Sequence, residues 1–120
     1  MNVKRIFLVL LLVLLMAAVI FAQSRSTGDK GVIVTVSLSG GGNASMRINY
    51  TVENTNDYAV SVEIQAKFRT YYINSRSVSA PNNIRTEQIV VQSKSKVNYS
   101  PRNEGASAIE SVSITKVNRI

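Results

Sequence analysis

Met46-Arg47-Ile48-Asn49-Tyr50-Thr51-Val52-Glu53 and Tyr58-Ala59-Val60-Ser61-Val62-Glu63-Ile64-Gln65-Ala66-Lys67-Phe68-Arg69 are the stretches that decide the fold. In the first, Met46, Ile48, Tyr50 and Val52 share one face, and Arg47, Asn49, Thr51 and Glu53 take the other. In the second, Tyr58, Val60, Val62, Ile64, Ala66 and Phe68 alternate with Ser61, Glu63, Gln65, Lys67 and Arg69. A period of two is the strand repeat, because successive side chains leave opposite faces of a pleated chain. A helix would scatter the same apolar residues around its circumference. Asn54-Thr55-Asn56-Asp57 joins the two strands. These residues tolerate left-handed backbone and bond their own turn. Direct pairing of the strands and a crossing between two sheets are both compatible with the pattern.

Moving outward, Val32, Val34, Val36 and Leu38 alternate with Ile33, Thr35 and Ser37, which predicts a strand before the central pair. The Ser39-Gly40-Gly41-Gly42-Asn43 run that follows is read as an inter-strand loop. A phosphate cradle would need a helix start behind it, and a strand pattern follows instead. After Phe68 the phase slips at Thr70-Tyr71-Tyr72-Ile73, where two adjacent tyrosines cannot both point inward; an exposed tyrosine or a bulge is expected. Turn residues flank a short piece around Val78, and Pro81 marks it as loop or edge. Strands are expected at 87–92, 96–100 and 108–117, with a loop over 101–105 and a break of phase at Lys116-Val117. The sum is an all-β chain, a small antiparallel, immunoglobulin-like β-sandwich of about seven strands. The Cys and Trp landmarks of true immunoglobulin domains are absent.

Lys4 and Arg5 precede an apolar run over residues 6–22. As a helix this run spans ~25 Å, short of a ~30 Å hydrocarbon core. It reads as a signal peptide, 1–22, with a mature start at Gln23; an uncleaved single transmembrane anchor is the alternative. Residues 23–30 are polar and read as a flexible lead-in to a sandwich domain over 31–120. Loss of Lys4 and Arg5 takes the formal net charge from +7 to +5. The chain has no Cys, which excludes disulfides, thiol chemistry and a lipidated cysteine and favours a bacterial envelope, periplasmic or secreted.

Without Cys or His the commonest base, the commonest metal ligand and a ready nucleophile are missing. No serine stands in a Gly-x-Ser-x-Gly or helix-borne Ser-x-x-Lys context. Glu53 and Glu63 fall on the polar faces of strands. Asn54, Asn56 and Asp57 carry oxygens that suit calcium, but the repeated acids and glycine of an EF-type loop are missing, so a hydrogen-bonded turn is the better reading. The chain is therefore expected to be non-catalytic, with no cofactor and no metal.

Phe68-Arg69-Thr70-Tyr71-Tyr72, together with the strand ending in an Asn-rich turn, resembles bacterial FxLyD-type domains, exported sandwich modules. Phe68 and Tyr71 fit that pattern, whereas Thr70 stands in place of Leu and Tyr72 in place of Asp. The resemblance covers about residues 48–117 and implies a binding or structural module without catalytic residues.

Lys67, Arg69, Arg76, Arg85, Lys94, Lys96 and Arg102 gather in the later part of the chain, with Tyr71 and Tyr72 among them. Arg and Tyr together often carry binding hot spots. Arg69, Tyr71, Tyr72 and Arg76 are accordingly the candidate partner-binding residues. The expected partner is another envelope protein or an anionic envelope surface, and not nucleic acid. A membrane is involved only if residues 6–22 stay uncut. The expected function is an exported, non-catalytic envelope binding or assembly module. A membrane-tethered display domain and an inhibitor of a secreted hydrolase are the alternatives.

Overall fold

A computed structural model of the chain describes residues 3–6, 24–40 and 45–120. Residues 3–6 are helical, while 7–22 of the expected signal segment and 41–43 of the glycine run lie outside the described residues. No helix among the described residues is long and apolar enough to cross a membrane.

The described residues are otherwise built from ten strands: β1 Ser24–Asp29, β2 Val32–Ser39, β3 Met46–Asn54, β4 Val60–Phe68, β5 Tyr71–Ile73, β6 Arg76–Val78, β7 Ile84–Val91, β8 Ser95–Tyr99, β9 Glu104–Ala106 and β10 Ile109–Arg119. They form two antiparallel layers. The larger sheet runs β1-β2-β3-β9-β5-β6, with β8 also paired to β3; the smaller runs β10-β4-β7. The two decisive strands do not pair with each other. β3 lies in the larger sheet and β4 at the centre of the smaller one, so the 54–57 turn carries the chain across the core.

The alternation sets what is buried. Val32, Val34, Val36 and Leu38 of β2 and Ile48, Tyr50 and Val52 of β3 face Val60, Val62, Ile64, Ala66 and Phe68 of β4. Burying each such side chain contributes about 1.5–3 kcal/mol, which is why the register of these strands has no competitor: a one-residue slip would turn every one of them to water.

The phase slip after Phe68 is a change of sheet. The chain leaves β4, and β5 joins the larger sheet, pairing with β6 and β9. Tyr71 points into the core and stacks on Phe68, with ring centres 5.7 Å apart. Tyr72, opposite Gly105 and Ser77, takes the outer face. No bulge is needed there. β10 instead shifts register with β4 twice, between Ile109 and Ser111 and between Ile114 and Lys116, and the second shift lets Ile114 and Val117 both pack on the core. That accounts for the broken phase at Lys116-Val117.

Two expectations are corrected. Residues 24–29 are a strand, not a flexible lead-in: β1 pairs with β2 along its whole length, from Ser24 opposite Ser37 to Asp29 opposite Val32. Its residues are polar because it packs at the flank of the sandwich, so no apolar alternation betrays it. Glu104 and Gly105, the end of the stretch 101–105 read as loop, belong to β9, whose Gly105 and Ala106 are buried between β3 and β5.

Candidate functional site

The hairpin β5–β6 turns through Asn74 and Ser75, both with left-handed backbone (φ 51° and 65°). It carries most of the residues expected to bind a partner, and the structure separates them. Tyr71 is 0% exposed, stacked on Phe68 and hydrogen-bonded through its hydroxyl to Glu104. It belongs to the core and is not presented to a partner. Tyr72 is half-buried on the outer face of the larger sheet, in a cross-strand row with Gly105 and Arg47. Arg76 is exposed and lies opposite Ile73, one residue out of phase with Tyr72 and so on the other side of the hairpin. Arg69 is exposed in the crossover, where its N–H donates to the Ala108 carbonyl at 3.0 Å. The four residues do not make one surface.

Three other places carry more chemistry. The first lies between the sheets. Arg85 and Glu87 of the edge strand β7 alternate with outward Ile84, Thr86 and Gln88 and so turn toward the interior. Arg85 bonds Glu104 of β9 at 3.0 Å, and its guanidinium lies 5.4 Å from the centre of the Tyr71 ring. Tyr50 stacks on Tyr99 across β3 and β8, with ring centres 6.1 Å apart. Burial, then the charge of Glu87, pushes the Tyr50 phenol well above its ordinary range. Burial, followed by the hydrogen bond to Glu104, does the same to Tyr71. Burial also raises the Glu87 carboxyl; Arg85 opposes this and Glu104 adds to it. Glu104 is held by both Arg85 and Tyr71. Charges turned inward on an edge strand are a known device against sheet-to-sheet aggregation.

The second place is the side of the sandwich between β7 and β8. The opposite side is closed, since β1 packs on β10 and Arg25 Nε donates to the Ile109 carbonyl at 3.1 Å. Between β7 and β8 the two sheets touch only slightly, and no ladder joins them. β7 is the last strand of its sheet, and β8 pairs only with β3. A groove of about 390 Å³ runs there, lined by Glu87, Gln88, Ile89, Val90, Val97, Asn98 and Tyr99. Val90 is 53% and Tyr99 41% exposed.

The third is a cleft of about 410 Å³ where β8 ends and β9 begins, leaving the middle of β3 without a strand neighbour on that side. Arg47, Arg102, Asn103, Asn74 and Ser75 line it. The loop 101–103 is tied to the β5–β6 turn by the Asn74 N–H, which donates to the Asn103 carbonyl at 2.8 Å. The sequence placed Arg47 on a polar strand face and Arg102 in a loop. That they share a cleft follows from the β3–β9 pairing, for which β9 offers no apolar signal.

Asn54, Asn56 and Asp57 form a turn. Asn54 Oδ1 accepts from the Asn56 N–H at 3.0 Å, and Asp57 pairs with Lys94 at 3.5 Å on the surface. Among the described residues no group of three or more acidic, His or Cys side chains is placed to hold a metal ion. Comparison of the chain with protein-family models, with curated proteins and with solved structures finds no match.

Proposed function

We propose that the chain is an exported, non-catalytic binding or assembly module of the cell envelope with an immunoglobulin-like sandwich, and that it holds an extended segment of a partner protein along its β7–β8 side. The observation that carries this reading is the unclosed side. Two strand edges run beside an apolar-floored groove, and neither edge has a neighbour among the described residues. An extended segment added to such an edge gains main-chain hydrogen bonds, while alternate side chains enter the groove. Ile89, Val97 and the Tyr99 ring supply the apolar contacts, and the inward Arg85 and Glu87 disfavour a second copy of the same edge. The basic start and apolar run of residues 4–22 support export, and the resemblance to FxLyD-type domains implies the same class of module.

The test is capture from envelope extract by the full chain and by Val90→Lys, which places a charge on the β7 edge without touching the core. Ser113→Lys, on the exposed side of β10, is the control. A partner retained by the wild type and by Ser113→Lys but lost on Val90→Lys supports the reading. Identical retention by all three sinks it. The N-terminal residue of the native protein tests export separately, with Gln23 expected.

A further inference from the structure

We infer that the cleft framed by Arg47 and Arg102 is a binding site for an acidic sugar, a hydroxyl-rich ligand bearing a carboxylate or a phosphate. Arg47 is held ready. Its Nε donates to Ser100 Oγ at 2.7 Å, and that hydroxyl donates in turn to the Ile48 carbonyl at 2.8 Å. This anchors the guanidinium through Nε, and among the described residues its two terminal nitrogens have no partner, which presents a fork suited to an oxyanion. Arg102, on the loop across from it, has no carboxylate partner among the described residues.

The one carboxylate lining the cleft, Glu104, is already bound to Arg85 and to the Tyr71 hydroxyl, so it neutralises neither arginine. Two unbalanced guanidinium charges face one cavity, and the net positive charge, +7 for the whole chain and +5 without Lys4 and Arg5, adds long-range attraction for anions. The volume, about 410 Å³, falls in the range of small organic ligands rather than of a bare ion. Most of the remaining wall is Ser45, Asn74, Ser75 and Asn103, neutral groups that both donate and accept, which is what ring hydroxyls require. A ligand with an apolar body would find little there beyond Met46 and Pro101.

The site is independent of the β7–β8 edge, so either reading stands or falls without the other. Calorimetric titration of the full chain with glucuronate, glucose 6-phosphate, inorganic phosphate and neutral glucose tests it. Both acidic sugars are expected to bind, more weakly as salt rises, with glucose and inorganic phosphate at least about tenfold weaker. Arg47→Gln and Arg102→Gln should each weaken acidic-sugar binding about tenfold, the value of one charge-assisted hydrogen bond. Ser113→Lys, on the exposed side of β10, should leave it unchanged. Ser100→Ala keeps every charge but frees the Arg47 fork, and should weaken binding where Ser100→Thr preserves it; thermal melting checks that each variant is folded. The inference is overturned if neither acidic sugar binds, if glucose or inorganic phosphate binds as tightly, or if the folded Arg47→Gln/Arg102→Gln double variant binds like wild type.

Discussion

The Asn54 side-chain amide lies 3.3 Å from the Val91 carbonyl inside the sandwich, joining the last residue of β3 to the last residue of β7 across the two sheets. The two hydrogens of the same Nδ2 also reach the carbonyls of Tyr58 at 2.8 Å and Gln92 at 3.1 Å, one of them shared between two acceptors, while Oδ1 accepts the Asn56 N–H. Asn54 is 1% exposed. One amide thus fixes both the crossover from β3 to β4 and the start of the turn into β8. Asn54→Ala should cost about 2–4 kcal/mol, since it leaves buried carbonyls unpaired as well as removing bonds. Asn54→Asp should cost more, because a carboxylate has no donor for those three carbonyls. Urea denaturation of the variants measures both, and a cost under about 1 kcal/mol for Asn54→Ala would remove the amide from this role.

Asn54 also shows where sequence reasoning reached and where it stopped. Its neighbours Ile48, Tyr50 and Val52 announce the strand and its buried face, and Tyr58 to Phe68 announce the next, because burial of one face imposes a period of two. The turn residues mark the reversal but carry no information on which sheet the chain enters. Local period is blind to partners. β1 and β9 escaped for a related reason: Ser-Arg-Ser-Thr-Gly-Asp and Glu-Gly-Ala contribute backbone pairing rather than apolar faces. The Arg47–Ser100–Ile48 chain of hydrogen bonds joins residues 52 positions apart and has no local signature. Tyr71 illustrates the opposite error, since a Tyr-Tyr pair beside arginines resembles a binding surface until a change of sheet turns one ring into the core.

Glu87 points into the sandwich, and burial raises its carboxyl above the ordinary 4.5. A carboxyl with a raised folded-state pKa contributes stability that is present in full below its unfolded value and lost as pH rises through the folded one. Glu87→Gln should therefore make the chain more stable than wild type at neutral pH. That advantage should shrink as pH falls and vanish only well below about pH 4.5, where both states of the wild type hold the proton. Denaturation midpoints of the two proteins across this interval test it. A constant difference at all pH values would mean that the effect is packing rather than charge.

Tyr50 and Tyr71 should govern the alkaline limit. Both phenols are raised above the ordinary 10.0, mainly by burial. Above about pH 10 the unfolded chain releases these protons while the folded chain keeps them, so stability falls with rising pH. Tyr71→Phe should flatten part of that decline. At neutral pH it should cost about 1–2 kcal/mol through the lost hydrogen bond to Glu104. Thermal melting at stepped alkaline pH measures the slope, and the same slope in wild type and in the Tyr50→Phe/Tyr71→Phe variant would contradict the assignment.

Gly105 is required by its neighbours rather than by its backbone angles. It sits between β3 and β5, opposite Arg47 on one side and Tyr72 on the other. A Cβ added there would lie 2.9 Å from the Met46 carbonyl and closer still to the Ser45 hydroxyl. The hydroxyl can swing away, but the carbonyl belongs to β3 and cannot move without the strand. Gly105→Ala should thus cost about 1–3 kcal/mol, in the range of an overpacked interior. Ser45→Gly in the same chain should recover only part of that loss, because the backbone contact remains. The shift also pushes Arg47 away from the loop at 101–103, so acidic-sugar binding should weaken in the folded Gly105→Ala protein. If stability were unchanged, β3 and β9 would have to be held more loosely than the paired register of Arg47 and Gly105 describes.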